Sequence, residues 1–158
     1  MNTPDPSVSV GYWAAIVAQQ HYTLLLDRMR DHDLERGFYA LLTIAENDGK
    51  MSQQELARVM HIEKVTMLRL IDMLSEKGYV ERISCPNDRR KHHIKLLPKA
   101  RPVVERIRAV YKELNQMAFK GIKAADRKIL IQHMDTMLEN LALGELRPVP
   151  LKYRKITR

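Results

Sequence analysis

The sequence predicts a mainly α protein with a small β-hairpin wing, in which a winged helix-turn-helix is flanked by N- and C-terminal dimerisation helices. Three observations lead there. Two short helices with clear start and stop residues lie between Ser52 and Gly78. Two β-prone runs follow, Tyr79 to Ser84 and His92 to Leu97, separated by a turn-rich cationic loop from Cys85 to Lys91. Apolar residues at helical spacing also fill both chain ends, more than a central unit of about 50 residues can cover.

In order, Val10 to Arg30 carries Trp13, Ile16, Val17, Gln20, Leu24 and Leu25 near helical spacing and forms a long first helix. It lacks a clean polar face, so it packs on more than one partner. Leu34 to Asn47 is a second helix with Phe38, Leu41, Leu42 and Ala45 on one stripe, ended by Asp48-Gly49. Lys50-Met51 is long enough only for a single bridging strand. Ser52-Gln-Gln-Glu55 then opens a helix with capping-box spacing, in which the hydroxyl serves the first free amides and the carboxylate reaches back. After a break at His61-Ile62, Glu63 begins a second helix that stops at Gly78, the residue suited to a left-handed C′ position. Pro98 fits the first position of the next helix, where a missing N–H costs nothing.

That helix runs to about Lys120 with Val103, Ile107, Val110, Leu114 and Met117 spaced as a coiled-coil seam. Val104, Tyr111 and Ala118 make a second seam, so one should bury against its own domain and one elsewhere. Beyond Gly121, Ala124 to Leu143 carries Leu130, Met134, Met137, Leu138 and Leu141 on one face. A two-fold homodimer built from the terminal helices follows, the other arrangement being a monomer with those helices folded over the centre. The expected division of a single 158-residue domain is a helix-turn-helix unit at 34–97, dimerisation helices at 8–33 and 98–146, and a basic tail at 147–158.

Charge is concentrated rather than spread. Of a formal +8, seven lysines and arginines against one acid fall between Arg82 and Arg101, and five bases with no acid between Arg147 and Arg158. The rest of the chain is net acidic. Basicity confined to a hairpin and a tail is the footprint expected for a polyanion, although the tail can also be read as plain solvated surface. Cys85 stands alone, which fits a reducing compartment. No signal-peptide core or run of the roughly 20 apolar residues that span a bilayer is present. A soluble, cytoplasmic protein without membrane association is expected.

On the helix from Glu63 to Lys77, Met67, Leu70, Ile71 and Leu74 share one narrow arc, which is core. The opposite arc carries Val65, Arg69 and Asp72, flanked by Thr66 and Leu68. Arg69 has the fork suited to guanine N7 and O6 or to a phosphate. Val65 and Leu68 are either scattered surface residues or contacts for thymine methyl groups, the apolar feature of the major groove. Lys64 and Thr66 in the first turn fit phosphates, aided by the positive helix end.

The runs Ser52-Gln-Gln-Glu-Leu-Ala-Arg58, Thr66-Met-Leu-Arg-Leu-Ile-Asp-Met-Leu74 and Glu76-Lys-Gly-Tyr-Val-Glu-Arg82 resemble the multiple-antibiotic-resistance regulator (MarR) family, and Pro86-Asn-Asp-Arg-Arg90 resembles its wing motif. The resemblance covers roughly 50 residues, with flanking helices that agree in order and length. It implies a dimeric winged-helix transcription factor that binds double-stranded DNA at a pseudo-palindromic operator, often a repressor released by a small-molecule effector or by oxidation. It also implies that Arg69 and Thr66 meet the major groove, while Asp88 and Arg90 shape the wing and lower its tip into the minor groove. Arg89 and Lys91 are added as phosphate contacts from charge and place alone. Val65 and Leu68 stand where the family commonly has Ser or Thr, Leu97 replaces its usual threonine cap, and Ala100 a common glycine. The effector crevice of such proteins lies between dimerisation helices and winged domain, where Trp13, His21, Tyr22, Tyr39 and Tyr111 are candidates equally suited to plain core.

Other chemistries find less support. No Gly-rich phosphate loop, G-x-S-x-G or H-E-x-x-H occurs, so no enzyme is expected and no cofactor. The six histidines form no metal-ligand spacing, and His92 and His93 point to opposite strand faces. Cys85 beside arginines invites a peroxide-sensing reading, but in redox-sensing relatives, as the resemblance implies, the reactive cysteine lies near the first helix. The main rival is a winged-helix module whose basic ribbon binds an acidic protein.

Overall fold

The computed structural model describes residues 8–32, 34, 37–85 and 88–141, with no side-chain description for 88–90. The basic tail at 147–158 and the residues Pro86 and Asn87 of the wing motif lie outside the described residues. Among the described residues six helices and one hairpin follow in order: α1 (Val10–Arg28), α2 (Phe38–Glu46), α3 (Gln53–Val59), α4 (Lys64–Glu76), β1 (Val80–Cys85), β2 (Asp88–Leu96), α5 (Ala100–Ala118) and α6 (Ala124–Leu141).

Local chemistry sets the boundaries of the central unit. The Ser52 hydroxyl accepts the Glu55 N–H at 3.3 Å, and the Ser52 N–H donates to the Glu55 carboxylate at 2.7 Å, closing the capping box that starts α3. The Ser52 hydroxyl also donates to Glu55 Oε2 at 2.7 Å, and that bond first, then the one from the Ser52 N–H, holds the Glu55 carboxyl below its usual pKa. His61 turns the chain between α3 and α4 with φ +51°, a left-handed value few non-glycine residues take, and this produces the break. Gly78 ends α4 at φ +71°, as its position in the sequence predicts.

Several boundaries differ from the sequence reading. α2 starts at Phe38, not Leu34, with Gly37 as its cap. A Cβ at Gly37 would lie 2.8 Å from Leu74 Cδ2, so close packing against α4 determines that corner. Pro98 sits in a turn before α5 rather than at its first position, because Ala100 N–H bonds back to Leu97 and Arg101 N–H to Pro98. The cationic stretch read as a loop belongs largely to β2. Ser84 pairs with His92 but Cys85 with Asp88, so Arg89, Arg90 and Lys91 fall in a bulge of the longer strand.

The core gathers Leu25 and Met29, Phe38, Leu41 and Ile44 of α2, Leu56 of α3, and Met67, Ile71 and Leu74 of α4. Val80, Ile94 and Leu96 close it from the hairpin, and Val103, Val104, Ile107, Val110 and Leu114 from α5. Both seams of α5 therefore bury largely within their own chain, leaving only Met117 and Ala118 exposed at the end. That corrects the expectation of one seam left over. The uncovered apolar surface lies elsewhere: Val10, Trp13 and Val17 on α1 are more than half exposed, and α6 has no buried residue.

The wing is fastened at its base. Gly49 N–H donates to the Ile94 carbonyl at 3.0 Å and Ile94 N–H to the Met51 carbonyl at 2.9 Å. Asp48 accepts the Leu96 N–H at 2.8 Å, and Ser52 bridges His93 as a one-residue third strand, next to the Lys50-Met51 position expected. No helix among the described residues is long and apolar enough to cross a membrane.

Candidate nucleic-acid interface

A helix can read a duplex only if one arc anchors it and the other stays free. On α4, Met67, Ile71 and Leu74 are fully buried and Leu70 is partly so. Lys64, Val65, Thr66, Leu68 and Arg69 are all exposed, Val65 by 57% and Leu68 by 44%. Arg69 forms no ion pair among the described residues. Glu63 caps α4 without a side-chain hydrogen bond, so its first amides are left for another acceptor.

The outward arc also carries Asp72, and here the structure adds a residue the sequence reading missed. Arg82 of β1 donates to Asp72 Oδ1 at 2.5 Å and to Gln53 Oε1, at the start of α3, at 3.2 Å. One side chain thus joins both helices to the wing and places β1 beside the exposed arc. Along β1 the exposed Arg82 and Ser84 alternate with the less exposed Glu81 and Ile83, which was the available signal for the direction of Arg82, but not for its partner.

Of the wing residues, Asp88 pairs with Cys85, and Arg89 and Arg90 lie on the bulge, their side chains outside the described residues. Lys91 is exposed. Below it, Lys91, His92, Arg58, Arg82, Gln53 and Ser52 surround a groove between wing and α3. Cys85 is buried at the end of β1. His92 is exposed and His93 half-buried, on opposite faces as their adjacency requires, with His93 Nδ1 3.0 Å from the Gly49 carbonyl. Among the described residues no three His, Cys, Asp or Glu side chains converge as metal ligands.

Three of the crevice candidates come together. Tyr111 lies 5.2 Å from Tyr39 and 5.4 Å from His21, ring centre to ring centre. The Tyr111 hydroxyl is buried without a well-formed hydrogen bond among the described residues. That burial, with Tyr39 beside it, holds its pKa far above that of a free phenol, and burial lowers that of His21. Trp13 instead stacks edge-on with Tyr12 at the α1 surface. On the other side of Tyr111, Leu42, Glu46, Arg108, Phe119 and Arg127 line an open hollow between α2 and α5.

Residues 34–92 match the MarR family model. Over most of its length the chain also shares its fold with solved proteins. The transcriptional regulator PA3341 is 28% identical, with a TM-score of 0.75 over 84% of this chain and 98% of that one. A protein from Listeria monocytogenes, solved in complex with 26mer DNA, is 20% identical, with a TM-score of 0.79 over 84% of this chain and 89% of that one. BpsR of Bordetella bronchiseptica, whose DNA binding is regulated by 6-hydroxynicotinic acid, is 22% identical, with a TM-score of 0.75 over 87% and 99%.

Proposed function

The chain carries a MarR-family domain over residues 34–92, and from that premise we propose that it is a homodimeric, sequence-specific regulator of transcription, a repressor released by a small-molecule effector. The observation that carries this reading is the exposed arc of α4, with an Arg69 that forms no ion pair among the described residues, on the helix that Arg82 ties to the cationic hairpin. Two such arcs in a dimer enter successive major grooves. Arg69 meets a guanine edge, Val65 and Leu68 meet thymine methyls, and Lys64 and Thr66 meet phosphates at the open end of the helix. Asp88 and Arg90 shape the wing and carry its tip into the minor groove, with Arg89 and Lys91 on flanking phosphates. The dimer forms through the exposed faces of α1 and α6. The aromatic cluster of Tyr39, Tyr111 and His21 lies at the junction of α1, α2 and α5, where an effector would bias the spacing of the two arcs. Two neighbours in fold support the two halves of this reading, one solved with DNA and one regulated by a small acid.

The test is a fluorescence-anisotropy titration of duplexes selected from the source genome, at graded salt. Affinity should fall by about three orders of magnitude between about 50 and about 200 mM salt if roughly six phosphates are neutralised. Arg69→Ala should cost about 1–3 kcal/mol and relax preference at one base pair. Arg90→Ala should weaken all duplexes more evenly. An absence of any duplex complex at moderate salt would favour a protein-binding module and defeat the proposal.

A further inference from the structure

An arginine three residues before an aspartate on a helix can pair with it, since positions i and i+3 are neighbours on the helix surface. Arg69 and Asp72 have this spacing on the outward arc of α4. They do not pair. The Asp72 carboxylate is held instead by Arg82 of β1 at 2.5 Å, and the same guanidinium reaches Gln53 of α3 at 3.2 Å. The Asp72 side chain remains 45% exposed and that of Arg82 33% exposed, so the pair sits at the surface that would face a polyanion.

The geometry points to Arg82 as a positioning and shielding residue: by occupying Asp72 it leaves the Arg69 guanidinium free for DNA and cancels the one acid on the reading arc of α4. This rests on the proposed DNA-binding function. Two consequences separate it from a simple brace. With Arg82 gone, Asp72 is free to turn to Arg69 and to repel phosphates, so the harm comes from the acid left behind. Removing that acid should then repair the defect. A brace that merely holds the wing would be lost whichever partner was cut, and cutting both would repair nothing.

The experiment is a binding cycle on one selected duplex with the full chain as wild type, Arg82→Ala, Asp72→Asn and the double variant. Unfolding curves of each confirm that it is folded. Arg82→Ala should weaken binding about tenfold or more, as like charges at an interface do. Asp72→Asn should bind as tightly as wild type or tighter. The double variant should recover most of the loss, within about threefold of wild type. If Arg82→Ala does not fold, Arg82→Lys serves in its place, and its affinity should stay within about threefold of wild type because a positive charge still faces the Asp72 carboxylate. A double variant no better than Arg82→Ala, or an Arg82→Lys variant that folds but binds as weakly as an alanine at Arg69, would overturn the inference. Failure of the wild-type chain to bind any duplex would instead count against the functional proposal on which it rests.

Discussion

Leu74→Ala is expected to lower the unfolding free energy by about 2–5 kcal/mol, the range for emptying a buried leucine site that cannot collapse. Leu74 is fully buried on the inner arc of α4, and its Cδ2 points at Gly37, where a Cβ would come within 2.8 Å. The same contact makes Gly37→Ala unfavourable by about 1–3 kcal/mol, because the added methyl overfills a packed corner. Combined, the two substitutions should cost less than their sum, by about 1 kcal/mol or more, since the new methyl enters the space the leucine left. Denaturant unfolding at one fixed chain concentration measures all three, the concentration being held because assembly adds to apparent stability. Additive losses would show that Gly37 and Leu74 do not share one space. The corner matters for function because it fixes α4 against α2, and with it the direction in which Arg69 faces.

The second large effect concerns assembly. Met134 and Leu138 lie one turn apart on α6, 43% and 54% exposed, on a helix with no buried residue. Carboxylates placed there by Met134→Asp with Leu138→Asp should leave the fold of the chain intact, since nothing on α6 contributes to the described core. They should abolish the proposed dimer, because an interface cannot bury two unpaired charges without a penalty of several kcal/mol. Light scattering should then give the monomer mass. Operator affinity should fall about 100-fold or more, as the second half-site is no longer tethered to the first. A variant that remains dimeric would place the interface elsewhere.

What the sequence made legible follows from how local each signal is. The capping box at Ser52 and Glu55, the stop at Gly78 and the inner arc of α4 depend on residues a few positions apart, and all three stand in the structure. The exposure of Lys64, Val65, Thr66, Leu68 and Arg69 follows from the same periodicity. Features set by distant neighbours were not legible. Gly37, which caps α2, lies against Leu74 from 37 residues further along the chain, a contact no local pattern announces. The bulge that takes Arg89 to Lys91 into β2 depends on the register with β1, which charge and turn residues do not reveal. Periodicity showed two apolar seams on α5 but not that α1 and α2 would pack on it and leave both largely buried. Asp72 was visible on the outward arc, whereas its partner Arg82 lies on a different element. Salt bridges between elements, such as Arg28 to Glu113 at 2.7 Å and Arg108 to Glu46 at 2.6 Å, escaped for the same reason.

The central claim is that two α4 arcs, one from each subunit, occupy two major grooves on one side of a duplex. Hydroxyl-radical footprinting of the wild-type chain on its selected operator, with the mass of the complex measured in parallel, tests it most directly. The account predicts two chains per duplex and two protected half-sites whose centres lie about 10 bp, or a multiple of that, apart. One chain per duplex, or protection without two-fold periodicity, would contradict it.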